Sequence, residues 1–233
     1  MYEHISGRLA EIRTRIADAA GRSGRRPEDV RLIAVSKTHP IDAVRAAADA
    51  GQLDFGENKV QEALKKISQA ADNRLRWHLI GHLQSNKAKM AGESFAFVHA
   101  IDSAELLRRV DQAAWAAGRT IDVLVQVDLA LEATKHGASV EDVPGIFAAA
   151  GHCHAARVAG LMLLPPLVED PAQARPWFAR LRGLRDQLAA QGVPAPHLRE
   201  LSMGMSHDFE VAIEEGATMI RVGTAIFGER HYA

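Results

Sequence analysis

The sequence predicts an α/β protein, a single (β/α)8 TIM-type barrel with an additional N-terminal helix. Short apolar runs alternate with helical patterns along the chain, an order that is typical of a parallel sheet. Eight such runs within 233 residues match the strand count and the usual length of this barrel. A doubly wound open sheet is the alternative. No linker, low-complexity segment or repeat divides residues 1–233, so we expect one domain.

The elements follow in order from the first helix. Residues 4–20 predict an amphipathic helix, because leucine and isoleucine recur every three or four positions between charged residues. The apolar runs that predict strands are 32–36, 53–55, 77–80, 97–100, 121–127, 157–163, 199–202 and 219–222. Helical patterns cover 41–50, 58–71, 103–117 and 172–190, and a shorter one follows Ser206. Ser103 is placed to cap its helix, and Gly118 is placed to end it.

The composition excludes several classes of protein. Apolar residues make up 47% of the chain, and 28 basic residues balance 29 acidic ones. No overall field therefore attracts nucleic acid or an anionic membrane. Cys153 is the only cysteine, and no signal pattern or membrane-length apolar run is present. We expect a cytoplasmic protein that binds neither nucleic acid nor membrane.

Lys37 directly follows the first predicted strand, 32–36. A lysine at the carboxyl end of a buried strand keeps its stem in hydrocarbon and its amine at a pocket mouth. Desolvation disfavours the ammonium form, and a neutral amine can form a Schiff base with an aldehyde. Most lysines beside strands are simply solvated, so this position alone does not establish a function.

The loops after the last two strands suggest a phosphate site. They read Ser202–Ser206 and Gly223–Gly228, where small residues would let backbone N–H groups approach an anion and hydroxyls would add donors. In barrels of this class, a phosphate site often lies after strands seven and eight. The alternative is two ordinary turns. Arg221, inside the last strand, needs an acceptor if it points inward, either a carboxylate such as Asp128 or a ligand nitrogen.

Four further positions have both a structural and a functional interpretation. Asn58 is placed to cap the next helix or to contact a ligand. Met162 would pack in the core or line an aromatic cofactor. His78 and His82 have a spacing that suits a metal on a helix, but Gly81 and the strand-like start of this segment argue against a helix, so no metal site is predicted.

Taken together, these segments resemble the pyridoxal phosphate homeostasis proteins, also called the PLP-binding or proline-synthase co-transcribed family. The matching stretches, in order along nearly the whole chain, are 34–38, 55–62, 78–87, 160–162, 201–206 and 221–228. The combination is highly specific, although each stretch alone is not.

The resemblance implies a fold like the N-terminal barrel of alanine racemases and pyridoxal 5'-phosphate (PLP) held as an aldimine on Lys37. It also implies phosphate contacts from Ser202, Gly223 and Thr224, with Arg221 near the pyridine nitrogen and Asn58 near the ring. The full set of predicted cofactor-binding residues is Lys37, Asn58, His78, Met162, Ser202, Ser206, Arg221, Gly223 and Thr224. Asp128 departs from the family pattern, which has asparagine there, and would alter the charge near the ligand.

The family resemblance also predicts a carrier rather than an enzyme. A PLP racemase needs a base on each face of the substrate carbanion, and in related racemases a tyrosine from an added β domain is the second one. Here the only tyrosines, Tyr2 and Tyr232, lie at the termini. We therefore expect a monomer that holds, buffers or delivers PLP to PLP-dependent apoenzymes in vitamin B6 and amino-acid homeostasis, without robust catalysis.

Three alternatives remain open at this point. One is a PLP-dependent, racemase-like enzyme with His78, His82 or His207 as its second base. Another is an interaction scaffold that retains PLP only as a relic. The last is a cofactor-free Schiff-base aldolase, for which a lysine and phosphate-binding loops would also suffice.

Overall fold

The strands form a closed parallel barrel. The computed structural model describes residues 2–130 and 136–229. Within them each strand pairs with its sequence neighbours, and the last strand pairs with the first. The strands are β1 (Arg31–Val35), β2 (Asp54–Glu57), β3 (Arg76–Leu79), β4 (Phe97–Ile101), β5 (Ile121–Gln126), β6 (Ala156–Met162), β7 (Glu200–Met205) and β8 (Met219–Val222). All eight predicted strands are confirmed, and the closed order excludes the doubly wound sheet.

Helices surround the barrel and join its strands. They are α1 (His4–Arg22), α2 (Ile41–Asp49), α3 (Val60–Ala70), α4 (Ala88–Ser94), α5 (Ala104–Ala116), α6 (Val143–Ala150), α7 (Arg175–Ala190), α8 (Phe209–Glu214) and α9 (Thr224–Phe227). The additional N-terminal helix is confirmed as α1, which buries its apolar stripe and packs against α2, α8 and α9. Where α1 packs against α8, Arg15 donates two hydrogen bonds to the Glu210 carboxylate.

Three helices were not predicted from the sequence: α4, α6 and α9. Helix α6 is apolar nearly all round, so it shows no amphipathic period. In α4, a Cβ on Gly92 would lie 2.7 Å from the Val110 carbonyl oxygen of α5. Glycine therefore lets these two helices pack closely, although its low helix propensity hides α4 in the sequence.

Two predicted caps had different outcomes. Ser103 Oγ accepts a hydrogen bond of 3.2 Å from Leu106 N, which confirms it as the N-cap of α5. Asn58 does not cap α3, whose N-cap residue is Lys59 and has no side-chain cap. The side chain of Asn58 is thus available for the cavity described below.

The apolar core lies in two layers separated by the sheet. The larger one fills the space between the barrel and its helices. The smaller one fills the middle of the barrel and consists of Ile33, Phe97, Leu124, Ala159, Met162 and Met219. This inner layer separates the two open ends of the barrel. No helix in the described ranges is long and apolar enough to cross a bilayer.

Candidate functional site

A cavity of about 420 Å³ opens at the carboxyl ends of the strands, the end where barrels of this type hold their reactive groups. Its lining consists of Val35, Lys37, His39, Asn58, Ile80, Gly81, His82, Leu164, Leu167, Met205, Ser206, His207, Arg221, Gly223 and Thr224. No acidic residue is among these described lining residues. The cavity therefore combines apolar walls with an amine, a guanidinium and several hydroxyl or amide donors.

Lys37 reaches this cavity from the loop that follows β1. Ser36 is fully buried, and Lys37 is half-buried at the cavity wall. Thr38 has a φ of 67°, a left-handed conformation that non-glycine residues adopt at a cost. Its backbone N–H donates to Glu62 Oε1 over 2.7 Å. The strained turn is therefore held by a carboxylate on α3.

A buried ionic cluster holds the other side of this loop. Lys66 Nζ donates to the Ser36 carbonyl oxygen and to Glu57 Oε1, both at 2.7 Å. Ser36 Oγ donates to the same Glu57 oxygen at 2.6 Å. Burial raises the pKa of Glu57, and Lys66 opposes that rise. We call Ser36, Glu57, Glu62 and Lys66 the peripheral cluster, because it lies between the barrel and α3 and fixes the backbone around Lys37.

The loops after β7 and β8 contact each other at the cavity. Ser206 Oγ accepts hydrogen bonds from Gly223 N at 3.1 Å and from Ala225 N at 3.5 Å. A Cβ on Gly223 would lie 3.2 Å from the Val35 carbonyl oxygen, so glycine allows the end of β8 to approach β1. Because Ala34 pairs with Val222 in the sheet, the amine of Lys37 and the hydroxyl of Thr224 line the same cavity.

Arg221 forms the floor of the cavity from inside the barrel. It is 3% exposed, and it donates from Nη1 to Ser202 Oγ at 2.5 Å and from Nη2 to the Leu163 carbonyl oxygen at 2.8 Å. Burial lowers its pKa to about 10, and Asp208 opposes this decrease. The guanidinium therefore stays charged at neutral pH and supplies the cavity with a fixed cation.

A chain of buried hydrogen bonds runs from Arg221 down the barrel. Ser202 Oγ lies 2.9 Å from His99 Nδ1, and His99 Nε2 lies 3.0 Å from His78 Nδ1. His78 Nε2 lies 2.9 Å from Asp54 Oδ1. Arg76 closes the chain by donating to both Asp54 oxygens, at 2.8 and 2.5 Å. We call this set the axial chain: Arg221, Ser202, His99, His78, Asp54 and Arg76.

Both histidines of the axial chain are neutral at neutral pH. Burial lowers the pKa of His78, although Asp54 opposes it, and burial lowers the pKa of His99 much further. Because Arg221 and Asp54 fix the two ends, the bonds can run in only one direction. Ser202 donates to His99, His99 donates from Nε2 to His78, and His78 donates from Nε2 to Asp54. The protons of Ser202 Oγ, His99 Nε2 and His78 Nε2 thus each have an acceptor.

The cavity brings together six of the nine residues predicted to bind a cofactor: Lys37, Asn58, Ser206, Arg221, Gly223 and Thr224. The direct contacts predicted for His78, Met162 and Ser202 are not supported by the geometry, because all three are fully buried and do not line the cavity. His78 precedes the cavity residue Ile80 by two positions, which places it one layer deeper on the inward face of its strand.

These three residues lie away from the cavity for different reasons. His78 stacks on Phe97 with ring centroids 4.8 Å apart and is bonded at both ring nitrogens. Met162 belongs to the apolar layer in the middle of the barrel. Ser202 acts on the cavity indirectly, by accepting from Arg221. Within the described residues no group of ligands suits a metal ion, and His78 and His82 do not share one.

The sequence interpretation missed His99, Asp54, Glu57 and Lys66. At two of these positions, the sequence contains a pattern that could have indicated a buried polar group. His99 is the one polar residue of β4, and Asp54 is the first residue of the short strand β2. A buried polar group in a strand needs a partner. Lys66 gave no such signal, because a lysine in the middle of an amphipathic helix is normally solvent-exposed.

Comparison with known proteins gives a consistent result. Residues 8–231 match the family described as the alanine racemase N-terminal domain. A "Pyridoxal phosphate homeostasis protein" of Aquifex aeolicus is 42% identical over 226 residues, which are 97% of this chain and 98% of that protein. The structure of PipY of Synechococcus elongatus with PLP bound is 41% identical in sequence and has a TM-score of 0.85. The match covers 96% of this chain and 100% of the PipY chain.

A more distant structure shares the fold alone. The alanine racemase of Corynebacterium glutamicum has a TM-score of 0.72 at 16% identity, and the match covers 96% of this chain but 62% of the racemase. Together with the full-length matches, this places the barrel among racemase-like domains. This chain belongs to the alanine racemase N-terminal domain family and, within it, to the pyridoxal phosphate homeostasis proteins.

Proposed function

We propose that this protein binds pyridoxal 5'-phosphate as an aldimine on Lys37 and buffers or delivers it in vitamin B6 and amino-acid homeostasis, without robust catalysis. The observation that carries the proposal is the composition of one cavity. The Lys37 amine, the buried Arg221 cation and the donors of the β7 and β8 loops line the same 420 Å³ space. This set of groups suits a phosphorylated aldehyde with an aromatic ring.

Each part of the cavity suits one part of the ligand. Ser206, Gly223 and Thr224 supply hydroxyl and amide donors where the phosphate would bind. Asn58 and the apolar wall around Ile80 would flank the ring. PLP itself would supply the electrophilic carbonyl that the lysine amine attacks. The name and the PLP-bound structure of the relatives support this assignment.

Arg221 favours a carrier over a catalyst. A charged arginine facing the pyridine nitrogen disfavours protonation of that nitrogen, and an unprotonated ring is a weaker electron sink. Because Arg221 is fixed by Ser202 and Leu163, it cannot move away easily when a substrate binds. The naming of the relatives as homeostasis proteins rather than enzymes agrees with this proposal. Location in the cytoplasm, a monomeric state and delivery to PLP-dependent apoenzymes belong to the same proposal.

One observation favours the second candidate, a racemase-like PLP enzyme. His82 and His207 line the cavity, and His82 stacks on His136 with ring centroids 3.7 Å apart. Either imidazole is a possible second base. His78 does not line the cavity, so it is removed from the three histidines considered at first. Exchange of the α-proton measured by NMR on a panel of D- and L-amino acids decides between the two functions. Slow or undetectable exchange supports the carrier, whereas enzyme-like turnover contradicts it.

The binding proposal is tested by a substitution that removes the amine. We expect Lys37→Ala to lose the visible aldimine band and to release PLP during gel filtration. Lys59→Ala, which removes a nearby exposed lysine on the same side of the barrel, is the matched control and should keep both. A Lys37→Ala protein that stays as yellow and as fully loaded as the wild type would refute the assignment.

Delivery is tested separately from binding. We expect the loaded protein to activate a PLP-dependent apoenzyme faster than PLP released by spontaneous dissociation can. A phosphatase added in solution removes free PLP, so activation that persists in its presence indicates direct transfer. Activation no faster than dissociation would contradict delivery and leave only the buffering role.

A further inference from the structure

A second cavity of about 420 Å³ opens at the other end of the barrel. Its walls include the first residues of β1, β3 and β7, so it lies at the amino-terminal face, opposite Lys37. Five arginines line it: Arg31, Arg76, Arg119, Arg157 and Arg199. The acidic residues among its described lining residues are only two, Asp122 and Glu200. The cavity therefore carries an excess of positive charge that the cofactor proposal does not use.

The nearby carboxylates are engaged by two of the five arginines. Arg199 lies 3.2 Å from Asp122 Oδ2 and 3.6 Å from Glu200 Oε1. Arg76 is paired with Asp54 through both carboxylate oxygens. The other three arginines have no carboxylate within ion-pair distance in the part of the chain that the structure describes.

Arg31 has an unmet requirement for an acceptor. Its guanidinium lies over the Phe97 ring, 5.2 Å from the centroid. Its Nη1 atom is buried and has no hydrogen-bond partner among the described residues. A buried donor without an acceptor costs free energy, and an oxyanion in this cavity would supply the missing acceptor.

The remaining arginines add further hydrogen-bond donors to the cavity. Arg119 donates to the carbonyl oxygens of Glu93 and Phe95, which fixes its cation at the rim of the cavity. Arg157 is an exposed residue that lines the same cavity, and the Thr120 hydroxyl adds a neutral donor. One guanidinium group can donate two parallel hydrogen bonds to a phosphate or a carboxylate. Such binding is favoured where the position of the guanidinium is fixed beforehand.

We propose that this amino-terminal cavity binds a small molecule that carries a multiply charged oxyanion, such as a diphosphate. The excess of arginines supplies the charge, Arg31 supplies a buried donor, and the volume is within the range of small-ligand sites. This inference is independent of the cofactor proposal, because it uses none of the residues around Lys37.

Calorimetric titration of the full-length protein with inorganic pyrophosphate tests the inference. We expect one saturable site that weakens as ionic strength increases, because the contacts are ionic. Arg31→Gln and Arg157→Gln should each weaken binding about tenfold, since each removes a charged hydrogen bond. Arg108→Gln, which removes an exposed arginine outside the cavity, is the matched control and should bind within about twofold of the wild type.

A second titration in saturating PLP separates the two ends of the barrel. Binding that persists when PLP is present and falls in both arginine variants supports the amino-terminal site. Binding that PLP abolishes, or that both variants leave unchanged, contradicts it, as does a titration without saturation. Because Arg157 is exposed, its variant gives a result even if Arg31→Gln does not fold. Loss of PLP binding alone would refute the cofactor proposal and leave this one standing.

Discussion

Two buried polar clusters support the cofactor cavity, and they differ in how completely their hydrogen bonds are satisfied. In the axial chain, each link between neighbouring side chains joins a donor to an acceptor, and the ends are closed by Arg221 and Arg76. In the peripheral cluster, Glu57 Oε1 accepts from both Ser36 and Lys66, whereas Glu57 Oε2 is buried without a partner among the described residues. The two clusters thus fix different sides of the same site at different energetic cost.

The difference indicates a division of roles. The axial chain holds the Arg221 cation in one orientation, and its members are neutral histidines and a serine between two charged ends. The peripheral cluster holds the backbone beside Lys37 through a buried ion pair. A buried ion pair contributes little net stability but is costly to break on one side, because the other charge is left unpaired. The peripheral cluster should therefore be the more sensitive of the two to a single substitution.

Breaking the buried ion pair should have the largest effect. Lys66→Met leaves the Glu57 carboxylate buried without its cation, which we expect to lower the free energy of unfolding by about 3–5 kcal/mol. Lys65→Met replaces the adjacent, exposed lysine. This control should change the free energy of unfolding by less than about 0.5 kcal/mol. Urea unfolding measures both. Similar effects of the two substitutions would contradict the role of the peripheral cluster.

Interrupting the axial chain should have a smaller effect. Ser202→Ala removes the acceptor of Arg221 Nη1 and the donor to His99 Nδ1. We expect a loss of about 1–3 kcal/mol in the free energy of unfolding and, in the loaded protein, a shift of the absorption band. Ser68→Ala, on the exposed side of α3, serves as the control in the same urea experiment. An unchanged band together with unchanged stability would show that Ser202 does not position Arg221.

The neutral histidines predict a specific pH dependence. Folding lowers the pKa of His78 and His99 below the ordinary value of 6.5, so the unfolded chain binds protons that the folded one does not. The free energy of unfolding should therefore fall as the pH falls below about 6.5, by up to about 1.4 kcal/mol per pH unit for each histidine. Urea unfolding between pH 5 and 7.5 measures the slope.

A variant assigns that slope to the axial chain. His99→Gln should reduce the pH slope of the free energy of unfolding by the contribution of one histidine, roughly 1 kcal/mol per pH unit. This reduction is expected whatever the variant's stability at pH 7. His152→Gln, at an exposed histidine, should retain the wild-type slope. If both variants have the wild-type slope, then His99 is not held neutral by folding.

The smallest effect is expected at the edge of the peripheral cluster. Glu62→Gln removes a partly exposed charge but keeps an amide oxygen that can accept from Thr38 N. We expect the free energy of unfolding to decrease by less than about 1 kcal/mol, as for other partly exposed ion pairs. Glu62→Ala, which also removes the acceptor, should cost more in the same assay. Equal losses would show that the strained turn at Thr38 does not depend on this bond.

The sequence predicted the barrel well, because its signals are local. Most strands contain a short apolar run and most helices have an amphipathic period, so the element order indicated a parallel sheet. The count of eight strands in a chain of this length then favoured the closed barrel over a doubly wound open sheet. Helices α4 and α6 were missed where Gly92 or an apolar surface hides the period. Lys37, Asn58, Ser206, Gly223 and Thr224 follow strands, and Arg221 lies inside the last strand. These positions, together with the family resemblance, placed all six at the cavity.

The depth of a residue in the barrel was harder to predict. His78 and Ser202 lie in strands that end at the cavity, but side chains on the inward face form successive layers, and only the outermost layer lines it. Assigning the layer requires the stagger between strands, which the sequence of one strand does not contain. The same limitation hid the pairing of His99 with His78, because it joins two neighbouring strands across the barrel interior.

The central proposal, PLP on Lys37, is tested most directly by locating the modified residue. The loaded protein is reduced with borohydride and digested, and the peptides are analysed by mass spectrometry. We predict one pyridoxyl group per chain, on the peptide that contains Lys37. Labelling chiefly on Lys59, on Lys87 or on Lys135, which lies outside the described residues, would contradict the account.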